Sequence, residues 1–284
     1  MGPTGTARRP GSWESDVVPM AVHEFGDGPA GVLVHGSFGW GLETFPDQRE
    51  LADSFRIILV DRGGYNGAPA GAVTGWPADA SDLVTVLEDY GGAHLVGQSY
   101  GAVVALVAAG RRPDLVRSLV VIEPPLYRIA ADSSAVRPIL AALEEVIEAA
   151  HAMTAESFAH IYATTVMSLS PDEVRAWIGS WGPTDRAAAD STRGEICAAD
   201  APVDLGALAA IRVRKTVVIG GWGTAGLPGA AGAGVAFRVT AERLSAAIGA
   251  GLAVFEHSAH NPQIEQAVEF NALLRTIWTS APAQ

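Results

Sequence analysis

Short, uninterrupted apolar runs alternate with helical stretches through the first 123 residues, and this alternation limits the fold more than any other feature. Gly31-Val32-Leu33-Val34, Arg56-Ile57-Ile58-Leu59-Val60, His94-Leu95-Val96-Gly97 and Leu119-Val120-Val121-Ile122 read as strands. A strand with one wet face alternates polar and apolar residues, whereas these runs, past a leading Arg56 or His94, carry no polar residue, so both faces are expected to be buried. Between them, helices are expected over Thr44–Asp53, Ala78–Tyr90 and Ala102–Gly110, the last stopped by Arg111-Arg112-Pro113. The pattern predicts an α/β fold, a mostly parallel sheet flanked by helices. In such sheets ligands bind beyond the carboxyl ends of the strands.

The alternation stops after Glu123. Residues from Pro124 to about Ala210 read as helical, with segments at Ile139–Ala152, Ala155–Met167 and Asp172–Trp181. Strand character returns at Thr216-Val217-Val218-Ile219 and Leu252-Ala253-Val254-Phe255, and a last helix is expected from Gln263 to Trp278. The expected organisation is a core of 16–123 and 211–284 with a helical cap at 124–210. Residues 1–15, rich in Gly, Pro, Thr and Ser, read as a disordered extension. Arg8-Arg9 is followed by Pro10-Gly11-Ser12 and not by an apolar core, which argues against a secretory or twin-arginine signal; Met20 is an alternative start. Tyr127, Phe158, Tyr162, Met167, Trp177 and Trp181 form either the small core of the insertion or the lining of an apolar substrate cavity beneath it.

Charge and cysteine content exclude several classes. Lys and Arg total 19 against 31 Asp and Glu, a formal net charge of −12, which argues against nucleic acid or an anionic membrane surface as partner. The single cysteine, Cys197, rules out an intramolecular disulfide and a thiolate zinc cluster. The longest apolar run, Ala102 to Ala109, is far short of the roughly 20 residues that cross a bilayer. The expectation is a soluble, acidic, cytoplasmic protein. The sequence leaves the oligomeric state open, a homodimer being one option.

The chemistry is carried by Gly97-Gln98-Ser99-Tyr100-Gly101, placed between a strand and a helix as the nucleophile-elbow motif requires. A serine on such a turn adopts a strained backbone, and the flanking glycines make room for it. The turn exposes the hydroxyl and aims the helix N-terminus at a developing oxyanion. The plain alternative is a serine capping an ordinary helix.

With this motif the chain resembles the α/β-hydrolase family from about Val17 to the C-terminus. His35-Gly36-Ser37-Phe38-Gly39 resembles the oxyanion loop after the third strand of that fold. Asp61-Arg62-Gly63-Gly64-Tyr65-Asn66-Gly67-Ala68 is similar to its Gly-rich loop after the fourth strand. Asn66 stands where glycine is usual and Ala68 where serine is usual; Asn tolerates left-handed backbone, so the loop is expected to survive as a structural element. The resemblance implies backbone oxyanion donors at Ser37 and Tyr100.

The family's chain order of Ser, acid, His requires a histidine downstream. His257 and His260 both qualify. Ala259-His260-Asn261-Pro262-Gln263-Ile264-Glu265-Gln266 resembles the family segment in which the catalytic His precedes the last helix, which favours His260. His35 is expected to support its own loop, and no histidine pair has a metal-ligand setting. The usual Asp after the seventh strand is missing, since no Asp or Glu occurs between Thr216 and Phe237. Glu123, directly after the sixth strand in Val121-Ile122-Glu123-Pro124-Pro125, is the natural substitute. Certain haloalkane dehalogenases and the zearalenone-lactone hydrolases place their acid there. A buried Glu is costly without a partner, and a histidine would supply one. The competing role is a cap-hinge anchor; Asp200, Asp204 and Glu242 are poorer candidates.

The resemblance therefore implies a serine hydrolase acting through an acyl-enzyme on an ester or lactone of medium size, with a zearalenone-type macrolactone as one option. A serine at the elbow argues against haloalkane dehalogenase chemistry. Carbon–carbon bond hydrolysis of the meta-cleavage type and ligand binding without catalysis are the alternatives. Phe38, Tyr127, Trp177, Trp181 and Trp222 are candidate substrate contacts. No cofactor or metal is expected.

Overall fold

The structure, a computed structural model, describes residues 20–68, 75–222 and 230–280. The expected N-terminal extension at 1–15 lies outside the described residues. Seven strands form one sheet: β1 (Ala21–Phe25), β2 (Ala30–Val34), β3 (Arg56–Asp61), β4 (Ala93–Gln98), β5 (Val116–Ile122), β6 (Arg214–Gly220) and β7 (Gly251–Phe255). Their order is β1-β3-β2-β4-β5-β6-β7. Only the β1–β3 pairing is antiparallel. Each apolar run of the sequence is one of these strands, and β5 is the one expected as the sixth strand of the family fold.

Side chains on successive strand residues point to opposite faces. Val32, Val34, Ile58, Val60, Leu95, Leu119, Val121, Val217 and Ile219 pack with helices Trp76–Asp89, Tyr100–Arg111 and Val235–Ile248. Their neighbours Leu33, Ile57, Leu59, Val96, Val120, Ile122 and Val218 pack on the other side with Phe45, Phe270, Leu274 and Trp278. Two buried faces explain why the runs lack polar alternation.

The helix expected over Thr44–Asp53 is instead a turn of α-helix at Gly41–Thr44 and a 3-10 segment at Gln48–Asp53. Pro46 lacks an N–H and pushes Phe45 out of helical geometry, to φ −127° and ψ 55°. The C-terminal helix is likewise split into Pro262–Glu265 and Ala267–Thr279.

Between β5 and β6 the chain is helical, as the sequence suggests, with helices at Arg137–Ala149, Ala155–Ile161, Pro171–Gly179, Pro183–Arg193 and Leu205–Ala210. The expected helix to Met167 ends at Ile161 and continues as a π turn over Tyr162–Val166. Ser170 and Glu173 form a reciprocal capping box that starts Pro171–Gly179. Tyr127, Ile139, Leu143, Phe158 and Val166 of this insertion share one apolar cluster with Trp222 and Phe237 of the core. No helix among the described residues is long and apolar enough to cross a membrane.

Candidate active site

Ser99 follows β4 directly and precedes helix Tyr100–Arg111, with φ 51° and ψ −120°. Positive φ is unfavourable for serine and persists only where the surroundings fix it. Here its N–H donates to the Ile122 carbonyl at 2.8 Å. The flanking glycines answer a packing need. A Cβ on Gly97 would lie 2.4 Å from the Gly101 carbonyl oxygen, and one on Gly101 2.3 Å from that of His35. Although Ser99 occupies the N-cap position, its hydroxyl makes no capping hydrogen bond. The reading as an ordinary N-cap serine therefore fails.

Glu123 begins where β5 ends, also at positive φ (48°). Its N–H donates to the Val218 carbonyl, which pins it between β5 and β6. The side chain is fully buried. One carboxylate oxygen, Oε1, accepts the Gly220 N–H at 2.7 Å and the Trp222 indole N–H at 3.1 Å. The other, Oε2, lies 3.6 Å from His260 Nδ1, and neither atom has another partner among the described residues. That separation exceeds a hydrogen bond but is close enough to tighten into one, as catalytic contacts commonly do when substrate binds. The end of β6 and the residues after it, where the family's Asp is absent, thus supply donors to the carboxylate that follows β5.

His260 sits between β7 and Pro262–Glu265, its ring packed 4.9 Å from Phe237 and 6.3 Å from Trp222, centroid to centroid. Asn261 Oδ1 accepts the Gln98 side-chain amide at 3.1 Å, which ties the loop of His260 to the residue before Ser99. His257 is exposed. Among the other acids, Asp200 pairs with Arg128 at the surface and Asp204 caps Leu205–Ala210. Glu242 is exposed. Glu265 accepts the Ala259 N–H, and burial holds its carboxyl above the ordinary range.

The loop from His35 to Gly39 lies against Ser99. A Cβ on Gly36 would stand 2.8 Å from Ser99 Cβ. His35 is buried, and burial, followed by the Arg62 charge, holds its pKa well below the usual histidine value. A neutral ring fits its contacts, with Nδ1–H donating to Gly36 O at 2.7 Å and Nε2 accepting the Arg62 N–H at 3.0 Å. The Phe38 N–H is taken by Thr192 Oγ1 at 2.8 Å. The N–H groups of Ser37 and Tyr100 have no acceptor among the described residues. They are the expected oxyanion donors. Asn66, at φ 46°, keeps the Gly-rich loop closed and donates to Asp61 Oδ2 at 2.9 Å.

Of the five aromatic candidates, Phe38, Tyr127 and Trp222 belong to the cluster shared by insertion and core. Tyr127 is buried 5.5 Å from Phe237, with its hydroxyl unpaired among the described residues. Trp177 and Trp181 stack edge to face at 5.0 Å in a separate small cluster. Phe38 reaches it through Trp177 at 5.4 Å. Two site features were not expected from the sequence. One is the Trp222 contact with Glu123. The other is a buried group of Arg62, Tyr65, Asp79, Thr192 and Glu195 beside the His35–Gly39 loop. No group of three or more His, Cys, Asp or Glu among the described residues could hold a metal ion.

Comparison with known proteins gives this arrangement a context. The chain is 34% identical over 110 residues to a 2-(acetamidomethylene)succinate hydrolase of Mesorhizobium japonicum, covering 37% of this chain and only 39% of that protein. It is 28% identical over 193 residues to a pimeloyl-[acyl-carrier protein] methyl ester esterase of Aeromonas hydrophila, covering 64% and 73%. In fold it is similar to a thermophilic esterase from Thermogutta terrifontis, with a TM-score of 0.66 at 22% identity over 90% of this chain and 92% of that one. A model of the alpha/beta hydrolase family matches residues 32–273, from β2 into the last helix and across Ser99, Glu123 and His260. The chain belongs to the alpha/beta hydrolase family.

Proposed function

We propose that this protein is a hydrolytic enzyme that cleaves a carboxylic ester or lactone of a medium-sized apolar substrate, with Ser99 as nucleophile, His260 as base and Glu123 as the acid of the triad. The observation that carries this reading is the strained Ser99, its hydroxyl not engaged as a cap, next to the Ser37 loop and Tyr100, whose N–H groups have no acceptor among the described residues. His260 takes the Ser99 proton as Oγ attacks the carbonyl carbon. The Ser37 and Tyr100 N–H groups hold the oxyanion, and Glu123 keeps Nδ1 protonated and stabilises the imidazolium. Collapse of the tetrahedral intermediate expels the alcohol, which receives the proton from His260. Water, activated by the same histidine, then releases the acid. Each oxyanion donor is worth ~2.7–4 kcal/mol in such steps.

An apolar substrate is supported by the charges. The two buried cations among the described residues, Arg62 and Lys215, are both engaged. Arg62 pairs with Asp79 and Glu195, and Lys215 donates to the carbonyls of Leu208, Ala209 and Ile211. Neither is free to receive a substrate carboxylate such as the succinate named for the Mesorhizobium relative. The esterase named in Aeromonas fits the reading better. The helical segment 124–210 acts as a cap over the core, where Trp222 lies against Glu123 and His260, Tyr127 of the cap packs on Phe237, and Phe38 packs on Trp177 of the cap. A panel of aryl esters, small lactones and macrolactones, ranked by kcat/KM, tests this. Apolar esters or lactones should lead, and a preference for carboxylated substrates would overturn it.

A further inference from the structure

The oxyanion loop is gripped from outside by the insertion. Ser37 Oγ donates to Glu195 Oε2 at 2.6 Å, and Thr192, one turn earlier, accepts the next N–H, that of Phe38. Phe38 holds φ 64°, a conformation an aromatic residue keeps only under such restraint. Glu195 is itself fixed. Its Oε1 accepts from Arg62 Nη2 at 2.6 Å and from the Tyr65 hydroxyl at 2.5 Å. Arg62 also donates to Asp79 at 2.9 Å and to the Gly36 carbonyl at 2.9 Å. Its guanidinium lies over the rings of Tyr65 and Tyr100, 4.5 and 4.7 Å from their centroids. Gly36 precedes one oxyanion donor, and Tyr100 is the other. Both donor residues therefore touch the Arg62–Glu195 pair, in which Arg62 comes from the core and Glu195 from the insertion.

We infer that Glu195 is a positioning residue for the oxyanion hole, so that seating of the helical insertion and alignment of the Ser37 N–H are one event. This rests on the reading of the site as an ester hydrolase. A buried ion pair is weak evidence of a stabilising role, because desolvation offsets most of the attraction. Stability alone would also leave the second oxygen of Glu195 without a purpose on Ser37. The geometry gives it one. Oε2 on Ser37 Oγ and Thr192 on the Phe38 N–H hold the loop just after the Gly36–Ser37 peptide that carries the donor, and Arg62, itself bound by Glu195, holds that peptide's Gly36 carbonyl. An insertion that lifts away releases both contacts and disorders the hole.

The test uses Glu195→Gln, Ser37→Ala and the double variant in the full chain. Turnover of p-nitrophenyl butyrate is measured, together with the affinity for an alkyl trifluoromethyl ketone, which forms an oxyanion on Ser99. Ser37→Ala keeps the backbone donor and removes one surface of contact, so folding is not at stake. Each single variant should lower kcat at least about tenfold, bounded by the 10²- to 10³-fold loss of a whole donor. KM should stay within about threefold, the scale of a contact not made in the ground state. Trifluoromethyl ketone affinity should fall in proportion to kcat/KM, and the double variant should be no worse than the poorer single one. Single variants within twofold of wild type, or losses that multiply, would overturn the inference while leaving ester hydrolysis standing. A wild type inert toward every ester would overturn both.

Discussion

Glu123→Gln is the sharpest perturbation of the site because it changes one atom's chemistry and little else. The amide oxygen can keep both donors of Oε1, the Gly220 N–H at 2.7 Å and the Trp222 indole N–H at 3.1 Å. The amide nitrogen then faces His260 Nδ1 across the 3.6 Å gap. Being a donor, it selects the tautomer with Nδ1 bare and Nε2 protonated, which cannot take the Ser99 proton. The imidazolium formed during attack also loses its counter-charge. At 3.6 Å and an effective dielectric of about 20, that attraction is about 4–5 kcal/mol, or about 10³- to 10⁴-fold in rate. The corresponding acid-to-amide change in serine proteases costs ~10⁴ in kcat. Stopped-flow hydrolysis of p-nitrophenyl butyrate should show the acylation burst slowed by this factor, with KM nearly unchanged and thermal unfolding close to wild type. A loss below tenfold in a fully folded variant would refute the assignment of Glu123 as the triad acid.

Three further outcomes follow from the same contacts. Trp222→Phe removes a hydrogen bond to a charged group, worth ~1.5–3 kcal/mol, so kcat/KM for the same ester should fall by up to about 10- to 150-fold. An unchanged value would mean that Gly220 alone holds the carboxylate. Arg62→Met strands the buried Asp79 and Glu195, and urea denaturation should show a loss of ~3–5 kcal/mol. A loss under 1 kcal/mol would contradict the placement of this pair. Asp82 is pushed up to about 7 by burial and by Asp79 beside it. An acid with a raised folded pKa binds its proton more tightly in the native state, so stability is lost as pH rises from about 4 to 7. Asp82→Asn should therefore raise Tm at pH 8 and not at pH 4; an equal shift at both would exclude ionisation as the cause.

How much of this was legible beforehand depends on the range of each signal. The sheet is readable because both faces of β2 to β6 are buried, so they appear as unbroken apolar runs, while β7 at the edge keeps an apolar Leu252–Phe255 run although Leu252 is exposed. Within the stretch read as helical, Pro183–Arg193 does not stand out as a separate helix for the converse reason. It buries only Ala188, Ala189 and Thr192 against its neighbours, too few to leave a helical period in a polar sequence. The split at Phe45 was legible in Pro46 but outweighed by the apolar spacing around it. Ser99 and His260 carry local motifs, and Glu123 was reachable through the absence of acids after Thr216. The partners of Glu123 were not. That an indole from the loop after β6 would turn inward to a carboxylate from β5 depends on Trp222 adopting φ 48°, for which no neighbouring residue gives a cue. Glu195 was still less visible, because its contacts lie 133 residues from Arg62 and 158 from Ser37. Asn66 shows the opposite case, where one residue's tolerance of left-handed backbone was enough to predict the survival of its loop.

The central claim is that hydrolysis passes through an ester on Ser99. Acid quench of the enzyme during turnover of a slow p-nitrophenyl ester, followed by intact mass and peptide mapping, tests it most directly. A single acyl adduct is expected on the peptide containing Ser99, formed at the rate of the burst and absent from Ser99→Ala. Steady turnover with no adduct, or an adduct on any other residue that survives in Ser99→Ala, would contradict it.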